Sequence, residues 1–248
     1  MQRYRRGYPV AILIGLQEDR AALWKVFSNV VKPEKTILLH GKWSDQKALY
    51  NFLESIVNAL RPSLKEGVRS VILASPPRTN YAQAFTEHIH THHAWLTQGQ
   101  NKATFTETIG LATTLPEVAA LTRTPLFHKL VSETTKMETE NVIDLLEERL
   151  SAKNQDSAIL YSFKEIEEMI LGQQKPATPR PEYLLITDKY LSDSKEKHRM
   201  NRLIQIAANK SVKTTIIKSE STAGKRLTQL GGMVCITKTR MNNLSNKN

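Results

Sequence analysis

The sequence predicts a two-domain α/β protein in which each domain has a mixed or mostly parallel sheet covered by helices. Short apolar runs alternate with longer segments whose apolar residues recur every three or four positions, which is typical of buried strands alternating with amphipathic helices. The chain has 248 residues, enough for two domains of about 120 residues each. We expect a first domain at residues 1–124, a second at 125–240 and a polar tail at 241–248.

The first domain should begin with a buried strand at residues 8–15, a short apolar run that ends at a glycine. Residues 19–30 have a less regular helical pattern, and residues 46–60 are a clearer helix because their apolar side chains follow three-and-four spacing. A second strand is expected at 69–74 and a second helix at 81–93. This alternation predicts an α/β layer.

The second domain shows the same alternation. Helices are expected at 134–150, 161–171, 195–208 and 221–230, and strands at 183–187, 212–218 and 234–237. Ser221 can cap the last helix, and Gly231 and Gly232 follow where a helix commonly ends. Residues 172–181 contain three prolines and are the most linker-like part of the chain. This order implies a mostly parallel sheet covered by helices.

The charge of the chain favours a polyanionic partner. Lysine and arginine number 35 against 24 acidic residues, a net charge of +11, which is typical of proteins that bind nucleic acid. The alternative is a basic protein whose charge only aids solubility. Aromatic residues make up only 6% of the chain, which argues against recognition by rows of stacked rings.

Cys235 is the single cysteine and lies in an apolar run, so it is expected to be a buried strand residue. An internal disulfide and a four-cysteine zinc site are therefore excluded. No apolar stretch approaches the roughly 20 residues that a membrane-spanning helix needs. We therefore expect a cytoplasmic protein with no membrane partner.

The polar segment at residues 97–103, called here the Gly-Gln segment, is the most informative part of the sequence. It contains Gly99, Gln100 and Lys102 and follows a region that ends in Trp95. Glycine lets a backbone approach a ligand closely, and a glutamine beside it fits an exposed position better than a core. A Gly-Gln pair is also common in ordinary loops, which is the alternative.

Histidines at 88, 90, 92 and 93 raise the question of a metal site. His88 and His92 are one helical turn apart and could share an ion. No third ligand follows at a suitable spacing, so we expect no metal and no cofactor. The preferred interpretation is a partly exposed helix that gains charge on acidification.

Three further positions follow strands or begin a helix. Arg78 comes after the strand at 69–74, where ligand-binding loops of α/β sheets tend to lie. Asp188 follows another strand and is expected to cap the next turn rather than to act in catalysis. Lys225 and Arg226 lie near a helix start, which favours phosphate, but a capped helix with a solvated basic face is the preferred explanation. The chain has no Walker A loop, dinucleotide fingerprint or nucleophile elbow.

Several segments resemble the last two domains of the superfamily of Pelota and the archaeal and eukaryotic class-1 release factors. Residues 71–76 resemble the strand and turn that precede the release-factor loop, and residues 97–103 fall where release factors carry Gly-Gly-Gln. Residues 136–161 resemble the opening of the third domain, while 183–188 and 219–232 resemble its final two signatures. The resemblance covers most of the chain and is more specific in the second half.

Two departures from the family pattern shape what the resemblance implies. No segment of this sequence matches the family's decoding domain. In this the chain is similar to the Vms-like branch, whose members lack that domain, and the similarity implies action without reading a codon. The first glycine of Gly-Gly-Gln is replaced by Gln98, so that only Gly99 and Gln100 remain. Pelota keeps the fold without this motif.

The resemblance implies a protein that hydrolyses peptidyl-tRNA on the ribosome, in ribosome rescue or quality control. Gln100 and Gly99 would be catalytic, and Lys102, Arg78, Lys225 and Arg226 would bind RNA. The implied partners are rRNA and peptidyl-tRNA, with a translational GTPase as a further partner. One alternative is a non-catalytic Pelota-like adaptor on the ribosome or a GTPase. Another is a metal-dependent nuclease built on residues 88–93.

Overall fold

The chain forms two compact units. The computed structural model describes residues 8–28, 30–98, 102–151, 158–172, 179–194 and 196–238. The first unit comprises Met1–Leu64 and Val68–Asn141, and the second comprises Lys65–Gly67 and Val142–Asn248. The predicted polar tail and most of the predicted linker at 172–181 lie outside the described residues.

The division between the units falls inside a helix. Helix α4 spans Pro125–Ser151 and contributes residues to both units, which separate between Asn141 and Val142. The predicted boundary at residues 124 and 125 coincides instead with the first residue of this helix. Helix α4 begins nine residues before the predicted 134–150 helix. Its additional first residues include Phe127, which lies in the core of the first unit.

The first unit is built on a five-stranded mixed sheet. Its elements are β1 (Pro9–Leu16), β2 (Arg20–Phe27), β3 (Val31–Leu38), α1 (Gln46–Lys65), β4 (Ser70–Ser75), α2 (Tyr81–His92), a 3-10 turn (Ala94–Leu96), β5 (Thr104–Ile109), α3 (Leu115–Thr122) and the start of α4. The strand order is β3-β2-β1-β4-β5. Strand β4 pairs parallel with β1 and β5, whereas β1, β2 and β3 pair antiparallel.

The helical pattern expected at residues 19–30 was wrong, because this region forms strand β2 and the turn toward β3. Both faces of β2 are buried. Leu23 packs into the core on one face, while Trp24 and Val26 pack into the core on the other. A strand buried on both faces loses the alternation of apolar and polar residues that would reveal it.

Two apolar cores cover the two faces of this sheet. The side chains of Val71 and Leu73 on β4 enter the core shared with α1 and α2, whereas Ile72 and Ala74 enter the core shared with α3 and the start of α4. Alternate residues of a strand point to opposite faces. The central strands therefore hold both helical layers in fixed positions.

The second unit has a four-stranded mixed sheet. After α4 come β6 (Ile159–Leu160), α5 (Phe163–Leu171), β7 (Arg180–Thr187), α6 (Asp188–Asp193), α7 (Lys197–Asn209), β8 (Lys213–Ile217), α8 (Thr222–Gln229) and β9 (Met233–Lys238). The order is β6-β9-β7-β8, with β7 and β8 parallel and β9 antiparallel to both β7 and β6. The α/β class and the mixed sheets are confirmed, although the last strand runs opposite to a parallel arrangement.

Local signals at the end of the second unit were confirmed. The Ser221 hydroxyl caps α8 by accepting a hydrogen bond from the Gly224 N–H at 3.0 Å. Gly231 and Gly232 follow the helix with φ angles of 100° and 82°, which favour glycine. Cys235 is fully buried in β9, and burial raises the pKa of its thiol to about 12.

No helix of the described residues combines the length and the apolar character of a membrane span. Even the 27-residue α4 carries charged side chains along its length, such as Lys129, Glu133 and Glu140.

Candidate functional site

The two ends of the Gly-Gln segment are firmly anchored. Gly99, Gln100 and Asn101 lie outside the described residues. On the amino-terminal side, Leu96 is fully buried in the core, and the Gln98 N–H donates to the Ala94 carbonyl at 2.9 Å. On the other side, the buried Ala103 donates its N–H to the Leu96 carbonyl at 2.6 Å. This bond closes the stem of the segment, from which Gln98 and Lys102 are exposed.

The sheet fixes where this stem lies. The segment belongs to the connection between the parallel strands β4 and β5, and Thr104 at the start of β5 is in register with Ser70 at the start of β4. The Thr104 N–H also donates to the Arg69 carbonyl at 2.8 Å. The stem therefore lies at the edge of the sheet where these two strands begin.

Arg78 lies at the opposite edge of the sheet. It follows the carboxyl end of β4, is exposed, and has a φ angle of 62°, which is uncommon for a residue other than glycine. A six-residue strand separates its two ends by about 15–20 Å. The structure therefore does not bring Arg78 together with Lys102, although both were predicted to bind RNA.

Lys225 and Arg226 lie in α8 of the second unit. Lys225 is exposed. Arg226 pairs with Glu147 of α4, with Nη2 and Oε2 3.2 Å apart, and this contact raises the pKa of the guanidinium. The cap by Ser221 already uses the Gly224 N–H, one of the donors at this helix start. A phosphate would thus meet one exposed cation and one that is already paired.

Asp188 does not cap the next helix as predicted, because the Thr187 hydroxyl caps α6 by accepting from the Tyr190 N–H at 3.1 Å. Its Oδ1 accepts hydrogen bonds from the N–H and the hydroxyl of Ser219, at 2.8 and 2.5 Å. The Lys189 N–H donates to the same oxygen at 2.8 Å. Burial alone would raise the pKa of Asp188, but these hydrogen bonds hold it below its ordinary value. The carboxylate ties the end of β7 to the turn after β8.

A cluster that sequence reasoning missed lies beside the stem and consists of Glu54, His88 and His93. Glu54 of α1 accepts at Oε1 from both histidines, with the His88 Nε2 at 3.0 Å and the His93 Nε2 at 2.5 Å. The exposed side-chain fractions are 5% for His88, 10% for His93 and 24% for Glu54. The three ligand-type atoms all lie within 4.8 Å of one another.

The charges in this Glu54–His88–His93 cluster depend on one another. Burial alone would raise the pKa of Glu54, but the hydrogen bonds and charges of His93 and His88 outweigh it and lower the pKa. Burial lowers the pKa of His88, and the contact with Glu54 offsets this only in part. The arrangement thus favours an ionised carboxylate beside a neutral His88.

Aromatic rings surround the cluster and extend to the stem. The Tyr50 ring lies 5.2 Å from the rings of both His88 and His92. Trp95, in the 3-10 turn, has its ring 6.3 Å from that of His93 and lies under the Arg61 guanidinium at 5.3 Å. The cluster and the Gly-Gln segment therefore share one neighbourhood of the first unit.

The sequence predicted that His88 and His92 could share an ion, but the histidines that share Glu54 are His88 and His93. His92 is exposed, whereas His93, just beyond the end of α2, turns its ring toward Glu54. Glu54 precedes His88 by 34 positions and lies on another helix. No spacing rule links these positions, so only tertiary structure shows that they meet.

The fold has a counterpart of known structure. A model of ribosome-bound archaeal Pelota and ABCE1 contains a chain that matches 96% of this chain, with a TM-score of 0.51 and 17% identity. The fold is Pelota-like. Saccharomyces cerevisiae Dom34, a translation termination-like factor that interacts with Hbs1, matches 98% of the chain with a TM-score of 0.48 and 20% identity. The match to the archaeal translation termination factor aRF1 covers 92% of this chain and 61% of the aRF1 chain, with a TM-score of 0.32 and 14% identity.

The extent of the Pelota-like match limits what it establishes. This chain spans 63% of the Pelota structure and 66% of the Dom34 structure. No protein-family model matches the sequence, and no curated protein matches it either. At this level of identity the likeness establishes a Pelota-like fold and leaves the activity to be argued from the site.

Proposed function

We propose that this protein is a ribosome-associated translation quality-control factor that hydrolyses peptidyl-tRNA through its Gly-Gln segment. The observation that carries the proposal is the Pelota-like fold over 96% of the chain, shared with a Pelota that is itself ribosome-bound. The net charge of +11 supports an RNA partner. Lys102, exposed at the stem, would pair with a phosphate of rRNA or peptidyl-tRNA.

The anchored stem supports a role for the residues that it carries. Leu96 and Ala103 are buried and joined by a backbone hydrogen bond, so they hold both ends of the segment against the sheet. In the proposed reaction Gln100 presents its amide to the ester that joins the peptide to tRNA. There it orients a water molecule and stabilises the oxyanion, a role that needs no titratable group. Gly99 leaves the backbone free to approach the ester.

The proposal is tested by release of labelled peptide from purified ribosome–peptidyl-tRNA complexes with an empty A site. We expect Gln100→Ala to slow release on the order of 100-fold, as does loss of one oxyanion donor in other enzymes. Gln98→Ala is the matched control, because it removes a similar side chain two residues away and should leave release nearly unchanged. Equal release by wild type and Gln100→Ala would contradict the assignment of Gln100.

Dependence on a codon is tested with the same complexes. We propose that release needs no codon, following the resemblance to factors of the Vms-like branch. Complexes with a stop codon, a sense codon or no codon in the A site should then release peptide at similar rates. Release confined to stop-codon complexes would contradict this part of the proposal.

The second candidate function is a non-catalytic adaptor on the ribosome, with a translational GTPase as a further partner. The observation that favours it is Gln98, which stands in place of the first glycine of Gly-Gly-Gln and restricts the backbone there. The assay above separates the two candidates. Ribosome binding without release by the wild-type protein would establish the adaptor.

A further inference from the structure

We propose that Glu54, His88 and His93 bind one zinc ion, which fixes the base of the Gly-Gln segment. The inference is independent of the proposed ribosomal function. It uses three side chains that the release reaction does not require. The site would take a divalent transition metal with a preference for nitrogen ligands, and zinc is the ion to which we commit.

The donor atoms are already close to the arrangement that zinc needs. A tetrahedral zinc ion with ligands at about 2.0–2.1 Å separates its donors by roughly 3.3 Å. The Glu54 Oε1 lies 3.0 Å from the His88 Nε2 and 2.5 Å from the His93 Nε2. Binding would therefore move these atoms apart by about 0.3 and 0.8 Å to reach that geometry. Movements of this size need only small rotations of the side chains.

The direction of the donors also favours an ion. Both Nε2 atoms converge on one carboxylate oxygen. A zinc ion at this point would take the place of the protons that the two imidazoles share with Glu54. Two imidazoles and a carboxylate form a ligand set that zinc uses with a fourth position left to water. Imidazole suits zinc better than magnesium, which prefers oxygen ligands alone.

The surroundings make the site different from a surface group of histidines. His88 and His93 are largely buried, between helices α1 and α2 that pack on the same core. The ligands come from two helices and the residue after one of them, so the backbone already holds each in place. A site formed in this way loses less conformational entropy on binding than one assembled from exposed side chains.

A short chain of contacts connects the site to the Gly-Gln segment. The carbonyl of His93 accepts a hydrogen bond from the Leu96 N–H at 2.8 Å, across the 3-10 turn. The carbonyl of Leu96 in turn accepts from the Ala103 N–H at 2.6 Å. An ion that holds His93 therefore stiffens the turn and the closing bond of the stem.

The test is a titration of the purified full chain with Zn²⁺ after treatment with a chelator, followed by calorimetry and by the visible spectrum of bound Co²⁺. We expect one ion per chain with no comparable binding of Mg²⁺. Because loss of a single outer-shell partner commonly weakens metal sites 10–100-fold, Glu54→Gln and His93→Gln should each weaken binding roughly 100-fold or more. His90→Ala, an exposed histidine on the same helix, is the matched control and should bind as the wild type does.

Several results would overturn the proposal. They are an absence of Zn²⁺ binding by the wild type, binding that survives both ligand substitutions, and binding that falls equally in His90→Ala. Thermal unfolding without zinc checks that the variants fold, and the wild-type titration decides the matter even if they do not.

Hydrogen exchange at the Ala103 amide should slow when zinc is added. An unchanged rate would overturn the link to the segment.

Discussion

Glu138 is a buried acidic residue of the first unit. It lies in α4 with 6% of its surface exposed. Its two carboxylate oxygens accept from the Ser70 hydroxyl at 2.5 Å and from the Arg69 N–H at 3.2 Å. Burial raises the pKa of Glu138 to about 7, although these hydrogen bonds act in the opposite direction. The carboxyl group therefore stays largely protonated in mildly acidic solution.

This elevated pKa predicts that Glu138 contributes less to stability as the pH rises. The ordinary pKa is 4.5 and the folded value is about 7, so between these values the folded chain binds a proton that the unfolded chain has lost. The contribution of Glu138 to the free energy of unfolding should fall across this window by up to about 3 kcal/mol. Urea unfolding of Glu138→Gln at a series of pH values should lack this fall.

The control for this prediction is Glu140→Gln, two residues further along α4. Glu140 is exposed and lies 3.7 Å from Lys136, a contact typical of weak surface pairs. Its substitution should leave the pH dependence as in the wild type. Stabilities of the wild type and Glu138→Gln that change in parallel from pH 4.5 to 7 would contradict the elevated pKa.

At the scale of residues, the sequence predicted those positions whose chemistry is local. The cap by Ser221 depends on Gly224, three residues further along the chain, whereas Asp188 binds Ser219, 31 positions away. The Glu54–His88–His93 cluster could not be found in this way, because α1 and α2 bring its members together from separate segments. The predicted catalytic roles of Gly99 and Gln100 remain predictions.

At the scale of elements, the connection between α2 and β5 holds the Gly-Gln segment. Leu96 is the side chain that fixes this connection, because it is fully buried in the core with α1 and α2. Its carbonyl also closes the stem with Ala103. Packing and hydrogen bonding at one residue thus decide the position of both ends of the segment.

We predict that Leu96→Ala destabilises the protein and loosens the stem. Truncation of a buried leucine costs about 2–5 kcal/mol, which urea unfolding would measure. Release of peptide should fall more than the loss of folded protein explains. Leu115→Ala is the control, since that side chain is 62% exposed and its loss should change stability by less than about 0.5 kcal/mol. Equal stability of the two variants would contradict the assigned role of Leu96.

Buried strands were predictable where the apolar run is continuous, as in β1 and β4, and less so where a polar residue interrupts it, as Lys25 does in β2. Helix α1 shows its three-and-four spacing because only its inner face is apolar. Strand β2 has apolar residues on both faces, so its pattern was mistaken for a helix. Helix α4 was predicted too short because a domain boundary was placed at residues 124 and 125, although Phe127, Leu130 and Val131 follow helical spacing and pack in the core of the first unit.

At the scale of the whole molecule, the positive charge predicts binding to ribosomes that weakens with salt. Each phosphate contact adds roughly one unit to the slope of log affinity against log salt concentration. Arg78 of the first unit and Lys225 of the second are both exposed. If both units contact RNA, Arg78→Gln and Lys225→Gln should each reduce the slope by about one, and the double variant by about two.

Ribosome pelleting across a range of salt concentrations would measure these slopes. Lys129→Gln is the control, because this exposed lysine lies 3.9 Å from Glu133 and was not predicted to bind RNA. A slope reduced by Arg78→Gln but not by Lys225→Gln would restrict the RNA contact to the first unit. Unchanged slopes in both variants would contradict both assignments.

The outer strand of the first sheet has a consequence for how copies of the chain behave at high concentration. Strand β3 ends the strand order, and most of its side chains are exposed, including Lys32, Pro33, Glu34 and Lys35. Proline offers no N–H to a new neighbour, and charged side chains would have to give up water for another strand to pair there. The same edge that completes the sheet therefore resists growth into fibrils, so a crowded solution of the folded protein should remain free of strand-to-strand aggregation along β3.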